Sequence, residues 1–423
     1  MAGTPERTRA ADVGGRIGER VRLCGWVDGS AASMLRDRSG TVTLRDGSGS
    51  VRVSVADDGG LPPPESAVEV VGTVTAAGVE AAQVRVVGPV LADLPIDGSS
   101  PLESRLDWRF LDLRRPRNRL IFEVQTTAEA AMREYWAARG FLELHSPKLR
   151  SNPNRSGREL FPVPYFDQQA YLVQSPQFYK QMAMAAGFEA VFEIGPVFRA
   201  NPNVTARHDT EFTSVDVEMS WIDSHEDVMA FEEAWLRHVI AAVEARHGRD
   251  ITRLFGVIVE VPAVPFPRVP LDRGRALVAS AAPGQPPGDL DPAGEKALGV
   301  YVRERWGHDF VFVTEYPAAT RPFYHMRFSE GSALTRGFDL LWKGMEVTTG
   351  AQREHRYDVL VGQAEARGVP LEPIRYYLDC FRFGCPPHGG FGLGLTRMLM
   401  CLLGIDNVRE ATFLYRGVDR LSP

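Results

Sequence analysis

Between residues 17 and 93 apolar positions alternate with polar ones in short runs. Val21, Leu23 and Trp26 are followed by Val42 and Leu44, by Val51, Val53 and Val55, and then by Val68, Val70, Val84 and Val86. Asp46-Gly47 and Asp58-Gly59-Gly60 punctuate the runs as turns. Several short strands joined by glycine turns predict a small β-barrel. The five-stranded OB-fold is the first choice and a generic β-sandwich the alternative. The pattern breaks at residues 94–120, which are rich in proline and serine and then basic, and which are expected to form a hinge. Helical spacing takes over at Ile121, Val124, Ala128, Met132 and Tyr135, with Gly140 placed where a C-terminal cap belongs. Beyond it, strand-like runs at 171–173, 190–194, 212–219 and 310–313 alternate with helices and long loops. Residues 280–295 read as a proline-glycine loop. The expected organisation is a barrel over 1–93, a hinge over 94–120, and an α+β domain over 121–423 with a small insertion near 270–300.

Composition narrows the class. The chain has 423 residues, 44 % hydrophobic and 24 % charged, with a net charge of −6. These are the proportions of a soluble globular protein with a large core. No basic tail advertises nucleic acid, although a local basic groove would suffice. Lysine occurs only at 148, 180, 296 and 343, against forty-four arginines, so each lysine is informative. Cys24, Cys380, Cys385 and Cys401 have no CxxC spacing and read as reduced thiols, which points to the cytoplasm. The first residues lack the apolar core of a signal peptide, and no run of eighteen apolar residues predicts a membrane span.

Two distant segments carry the densest chemistry. Residues 192–220 hold Arg199, Arg207, His208, Glu211, Asp216 and Glu218 among strand-like hydrophobics, and residues 388–397 place Arg397 behind a glycine run. Arginines converging from two segments, with carboxylates nearby, suit a nucleoside triphosphate held with a metal. A helix start behind Gly392 and Gly394 would add backbone N–H groups for an anion. Asp339 and Glu346 lie in apolar runs on either side of Lys343-Gly344. On the two strands of a hairpin they would face one site and suit Mg²⁺, or each would instead pair with an arginine. Gln177 and Lys180 lie three apart and share a helix face, and GAQREHR supplies Arg353 and His355. Lys180 and Arg353 together would clamp a carboxylate, unless Lys180 is simply an exposed helix residue.

The stretches RFLDLRRP, GFLELHSPKL, QSPQFYKQM, FRANPNVTARHDTEF, EYPAATRPFYHM, FDLLWKGMEVTTGAQREHRY and PPHGGFGLGLTR resemble those of class II aminoacyl-tRNA synthetases, in particular the archaeal and eukaryotic type of aspartyl-tRNA synthetase. The resemblance implies an OB-fold that contacts the anticodon. It also implies a catalytic domain on a mixed, mostly antiparallel sheet flanked by helices, and an aspartate–tRNA ligase activity using ATP and Mg²⁺. By the same resemblance Arg199 would hold the α-phosphate and Phe212 would stack on adenine. Arg207, His208 and Arg397 would meet the outer phosphates. Asp339 and Glu346 would carry Mg²⁺ with Thr349 close by. Lys180 and Arg353 would read the aspartate side chain, Gln177 and Asp216 would take its ammonium, and the motif containing Pro147 would make a homodimer.

Departures from the resemblance cluster where tRNA and the ammonium would be touched. Asn201 stands where a glutamate is usual, Asn154-Arg155-Ser156-Gly157-Arg158 replaces a Glu-Gly-Gly run in a lid, Thr41 aligns with a stacking aromatic, Thr396 replaces an acidic residue and Tyr415 a proline. They suggest a divergent paralogue, in which Arg155 and Arg158 either both point to solvent or place one cation near the substrate or the acceptor. The alternative is an adenylate-forming enzyme that passes the acyl group to a nucleophile other than tRNA. A purely nucleic-acid-binding relative would not keep Arg199, Asp339, Glu346 and Arg397 together.

Overall fold

A computed structural model describes residues 5–29, 40–55, 61–151, 160–202 and 205–422. The chain divides into two compact units, 1–101 and 102–423. In the first, strands β1 (Arg20–Val27), β2 (Thr41–Arg45), β3 (Ser50–Val55), β4 (Ala67–Thr75) and β5 (Gly78–Gly88) close a barrel in the order β1-β2-β3-β5-β4. The alternating valines fill it: Val21, Leu23, Leu44, Val53, Val68 and Val70 are buried together. This is the OB-like barrel that the alternation predicts, and the sandwich alternative falls because the sheet closes.

The boundary at Pro101 falls inside the expected hinge. From Leu102 onward its residues form α1 (Leu102–Asp107), α2 (Arg109–Asp112) and the start of α3 (Pro116–Ala137). Arg109 explains the basic run. It is 1 % exposed, pairs with Asp112 at 2.6 Å, and donates to the carbonyls of Glu410 and Thr412 at 2.7 and 2.9 Å. A buried guanidinium that caps carbonyls three hundred positions away belongs to a packed domain and not to a linker.

The second unit is built on short strands β6 (Leu142–Glu143), β7 (Leu149–Arg150), β8 (Pro162–Tyr165) and β9 (Gln168–Leu172), then α4 (Gln177–Ala185), β10 (Ala190–Phe198), β11 (Glu211–Ser220) and α5 (His225–Phe255). It continues through β12 (Arg268–Pro270), α6 (Leu271–Val278), α7 (Pro292–Trp306), β13 (Phe310–Thr314), β14 (Gly337–Trp342) and β15 (Met345–Gln352). Beyond β15 follow α8 (Tyr357–Ala366), α9 (Arg375–Leu378), β16 (His388–Gly394) and α10 (Leu395–Leu403). The main sheet has the order β12-β13-β14-β15-β16-β11-β10-β6 and is antiparallel except at its edge pairs, while β7, β9 and β8 form a separate small sheet.

One face of the main sheet is the core. Trp136 of α3 and Trp235 of α5 stack at 5.2 Å against Phe192 and Phe391 of the sheet. Helix α5 starts on a capping box between Ser224 and Asp227, so its first amides are satisfied locally. The insertion near 270–300 folds as α6 and α7 over a small core of its own with Val269, Val311, Val313 and Leu341. Asp291 caps α7 by accepting from the Gly294 amide at 2.8 Å, so the end of the expected 280–295 loop is helical. Among the described residues no helix is long and apolar enough to cross a membrane.

Candidate functional site

Period-two alternation along β11 builds the site. Val215 and Val217 point into the core, which puts Phe212, Ser214 and Asp216 on the other face. There they line a cavity of about 380 Å³ together with Gln177, Arg199, Arg207, His208, Glu346, Arg353 and Arg397. The glycine run beside them is strand β16, and its role is to make room. A Cβ at Gly390 would lie 2.0 Å from the Val217 carbonyl, and one at Gly392 would lie 3.1 Å from the Asp216 carboxylate. Side chains there would displace Asp216 and Glu218, so these glycines serve close approach more than phosphate binding.

At one end of the cavity only one member of the expected two-cation clamp, Arg353, lies in the wall. Lys180 does share α4 with Gln177, but it is only 4 % exposed and is absent from the cavity wall. Its ammonium donates to Asp216 at 3.0 Å, to the Val217 carbonyl at 3.2 Å and to the Phe391 carbonyl at 2.9 Å, and lies 3.4 Å from Glu218. Its three donors are spent beneath the floor. Arg353 alone reaches the wall. Its Nε donates to Glu218 at 3.0 Å and its Nη2 to the Gly390 carbonyl at 2.8 Å, while Nη1 lies 3.4 Å from His325 Nε2. Burial works against the charge of Glu218, but Arg353 and then Lys180 outweigh it and hold the carboxyl below its ordinary range. Lys180 therefore balances Asp216 and Glu218, and Glu218 aims Arg353. His355, read beside Arg353 in the sequence, is not in the wall.

The other end is cationic. Arg199 leaves the end of β10 with its amide bonded to the Thr210 carbonyl at 2.9 Å, and its guanidinium stands 5.1 Å from the centre of the Phe212 ring. It projects into the cavity and is open to that space while surrounded by protein. Burial and then the charge of Arg397 lower its pKa. Arg397 donates to the Glu346 carbonyl at 3.0 Å. Arg207 pairs with Glu295 of α7 at 3.0 Å. His208 lies 2.6 Å from the Thr205 hydroxyl, and burial followed by Arg397, Arg199 and Arg207 pushes its pKa down. Asp209 and Glu295 are each pushed up to about 7 by burial.

These three groups fix a pH dependence. A polyphosphate placed among them raises the proton affinity of each, because added negative charge disfavours carboxylate and favours imidazolium. Binding energy from a raised pKa is present below the free-state value and is lost as pH rises through the bound value. At pH 8, where the terminal phosphate of free ATP is already ionised, metal-free ATP should therefore bind with net proton uptake, and more tightly than at pH 9. Calorimetry in buffers of different ionisation enthalpy reads that uptake, and proton release would contradict the placement.

Asp339 and Glu346 lie on the hairpin the sequence predicts. Lys343 and Gly344 turn it with φ of 51° and 76°. A bulge makes the site: Leu340 pairs with Thr348 and Leu341 with Glu346, leaving Val347 as the extra residue. The shift brings Glu346 to the face of Thr349, whose hydroxyl donates to it at 3.3 Å. Both carboxylates also have arginine partners. Asp339 Oδ2 is hydrogen-bonded by Arg321, and Glu346 lies 3.6 Å from Arg397. Asp339 Oδ1 is buried with no partner, and burial followed by the charge of Asp339 raises the Glu346 pKa. A lone buried oxygen and a destabilised second carboxylate fit a hard cation. Among the described residues, no group of three or more histidine, cysteine or acidic side chains could hold a metal by itself.

The family described as tRNA synthetases class II (D, K and N) matches residues 101–416. The chain belongs to that family. It is 40 % identical to the aspartate–tRNA(Asp/Asn) ligase of Aeropyrum pernix, with 96 % of each chain covered. It is 42 % identical to the enzyme of the same name from Methanopyrus kandleri, covering 96 % of this chain and 97 % of the relative. An asparaginyl-tRNA synthetase structure from Pyrococcus horikoshii, complexed with asparaginyl-adenylate, superposes with a TM-score of 0.88 at 28 % identity, covering 99 % of this chain and all of that one. The family match thus covers nearly all of the second unit, and the superposition takes in the barrel as well.

Within this synthetase, sequence reasoning left several partners unassigned. In the sequence Glu218 carries no sign of its pairing with Arg353, Glu295 and Arg321 carry none of theirs, and Asp209 none of its place in the cavity wall. Arg321 sits in the quoted RPFY stretch, which is the signal that could have found it. Of the departures, Asn201 and Thr396 line the cavity. The Tyr415 hydroxyl donates to the His208 carbonyl at 3.2 Å and so braces the turn that carries His208. Arg155 and Arg158 lie outside the described residues.

Proposed function

We propose that this chain is an ATP-dependent ligase that activates aspartate and transfers it to tRNA. The observation that carries the reading is a single cavity with an anchored arginine, Arg353, at one end and Arg199 with Arg397 at the other. Such a cavity orients a molecule bearing a side-chain carboxylate toward a bound triphosphate. An oxygen of the aspartate α-carboxylate attacks the α-phosphorus of ATP. The bond to the bridging oxygen breaks, and pyrophosphate leaves. Arg199 stabilises the charge that develops at the α-phosphate, Phe212 packs on adenine, and Arg207, His208 and Arg397 take the outer phosphates. A terminal ribose hydroxyl of tRNA then attacks the acyl carbon, and AMP departs with the electron pair of the anhydride bond.

Asp339 and Glu346 would hold Mg²⁺, which when bound offsets phosphate charge. Gln177 and Asp216 serve the substrate ammonium. Arg353 favours aspartate over asparagine, since the edge that Glu218 aims at the cavity makes charge-assisted hydrogen bonds to a carboxylate and only neutral ones to an amide. The relatives' names include tRNA(Asp) alone and tRNA(Asp/Asn) together, and we infer that tRNA(Asp) is among the acceptors here. A homodimer through the segment around Pro147, in the cytoplasm, completes the reading. Relatives matched over 96 % of the chain carry tRNA-ligase names, and no observation favours the alternative acceptor. The test is pyrophosphate exchange with aspartate and asparagine, followed by charging of tRNA. Mg²⁺-dependent exchange with aspartate and charging of tRNA(Asp) are expected. Equal exchange with asparagine would remove the role given to Arg353, and no exchange with either would remove the reading.

A further inference from the structure

Behind the cavity, a chain of buried polar groups runs from β16 to Gln177. Its first member, the Pro386 carbonyl, can only accept. It lies 2.8 Å from His388 Nδ1, with the Cys385 sulfur farther off at 3.7 Å. The imidazole therefore carries its proton on Nδ1, and Nε2 is left as an acceptor. Gln181 approaches that Nε2 at 3.1 Å and must present its NH₂ group there. Its carbonyl oxygen then faces the other way. It accepts from the Tyr377 hydroxyl at 3.2 Å and from Gln177 Nε2 at 3.1 Å. His388, Gln181 and Tyr377 are all inaccessible to solvent. Each orientation follows from the one before, and the sequence ends with the Gln177 NH₂ committed inward. The acceptor that Gln177 can offer to the cavity it lines is its carbonyl oxygen.

We propose that His388, Gln181 and Tyr377 are positioning residues that lock the Gln177 amide with its oxygen toward the cavity, where it accepts a hydrogen bond from the α-ammonium of the amino acid. The inference rests on the aspartate reading above and goes further by saying why a glutamine, whose amide could face either way, serves an ammonium. With the opposite orientation the site would offer an NH₂ group, which suits a carboxylate and repels an ammonium. Burial, which pushes the His388 pKa down to about 4, keeps the imidazole neutral and its Nε2 an acceptor throughout the working pH range.

Succinate separates orientation from general damage, because it has both carboxylates of aspartate and no ammonium. The experiment compares His388→Leu, Gln181→Met and His388→Gln with the wild type. It measures KM and kcat for aspartate in pyrophosphate exchange, KM for ATP, and Ki for succinate. A hydrogen bond to a charged group is worth about 1.5–3 kcal/mol, so aspartate KM should rise about 10- to 100-fold in His388→Leu and Gln181→Met. ATP KM and succinate Ki should stay within about twofold. His388→Gln supplies an acceptor near the same place and should restore most of the loss. Gln181→Met keeps the side chain's length and carries the comparison if His388→Leu does not fold. Equal weakening of aspartate and succinate, or a His388→Gln variant as poor as His388→Leu, would overturn the positioning role alone. A wild type without aspartate-dependent exchange would overturn the functional reading and the ammonium assignment with it.

Discussion

Arg353→Leu should abolish most aspartate activation while leaving ATP binding in place. The guanidinium is held by Glu218 at 3.0 and 3.4 Å, by the Gly390 carbonyl at 2.8 Å and by His325 Nε2 at 3.4 Å, and it lines the cavity wall in that fixed pose. Removing it does two things. The substrate carboxylate loses its partner, and Glu218, with no exposed surface, is left with Lys180 alone. Lys180 must also serve Asp216 at 3.0 Å, so it cannot compensate fully. Breaking one partner of a buried ion pair costs about 3–5 kcal/mol, which corresponds to a loss of about 10²–10³ in kcat/KM if only part of it is felt at the substrate. Arg353→Lys should recover little, because a point charge cannot span Glu218 and the Gly390 carbonyl together. Pyrophosphate exchange titrated with aspartate, beside ATP affinity as a control for folding, measures this. Aspartate kcat/KM within threefold of wild type would refute the assignment. Lys180→Met should behave differently: it removes the cation that balances Asp216 and Glu218 beneath the floor, so its loss should appear first as reduced stability toward denaturant.

The contrast between Lys180 and Arg353 shows where the sequence was legible. Once 212–219 is a strand, period two sets Val215 and Val217 on one face and Phe212 and Asp216 on the other, and the valines take the core. Lys343-Gly344 fixed the hairpin through a local backbone requirement, visible as positive φ at both residues. The barrel valines were legible for the same reason as β11. Lys180 was not. Spacing on a helix tells which side chains are neighbours, but the depth at which a charge ends depends on what lies beneath it, here Asp216, Glu218 and the Phe391 carbonyl from strands distant in the chain. The Val347 bulge was equally hidden, since it is a mismatch between two strands and not a property of either. The glycine run is not decided by sequence, because glycine leaves the same mark whether it frees backbone amides or makes space for a neighbour, as Gly390 does. Arg109 misled: a basic run reads as a solvated hinge until its carbonyl partners are known.

Arg199→Ala should lower the rate of pyrophosphate exchange by about 10²–10³, the scale for losing one preorganised donor at a developing charge. In the free enzyme Arg199 lies close enough to Arg397 for each charge to oppose the other, and burial adds to the cost. The carboxylates that face it, Glu346 and Asp216, moderate that repulsion. The balance is set for charge that arrives with the nucleotide. Ground-state ATP supplies much of it, and the pentavalent α-phosphorus in the transition state draws more negative charge onto the oxygens nearest Arg199. The variant should therefore lose more in kcat than in ATP affinity. Part of the binding loss should even be offset, because removing Arg199 relieves the repulsion felt by Arg397. Its contact with Phe212, at 5.1 Å, is a smaller contribution that touches the adenine side and belongs in KM. Arg199→Lys restores charge without the planar fork and should fall between the two. Single-turnover formation of the adenylate, measured at saturating ATP and aspartate, separates these effects. A variant whose rate stays within tenfold of wild type, with the loss confined to ATP KM, would place Arg199 in ground-state binding and leave the transition-state charge to Arg397.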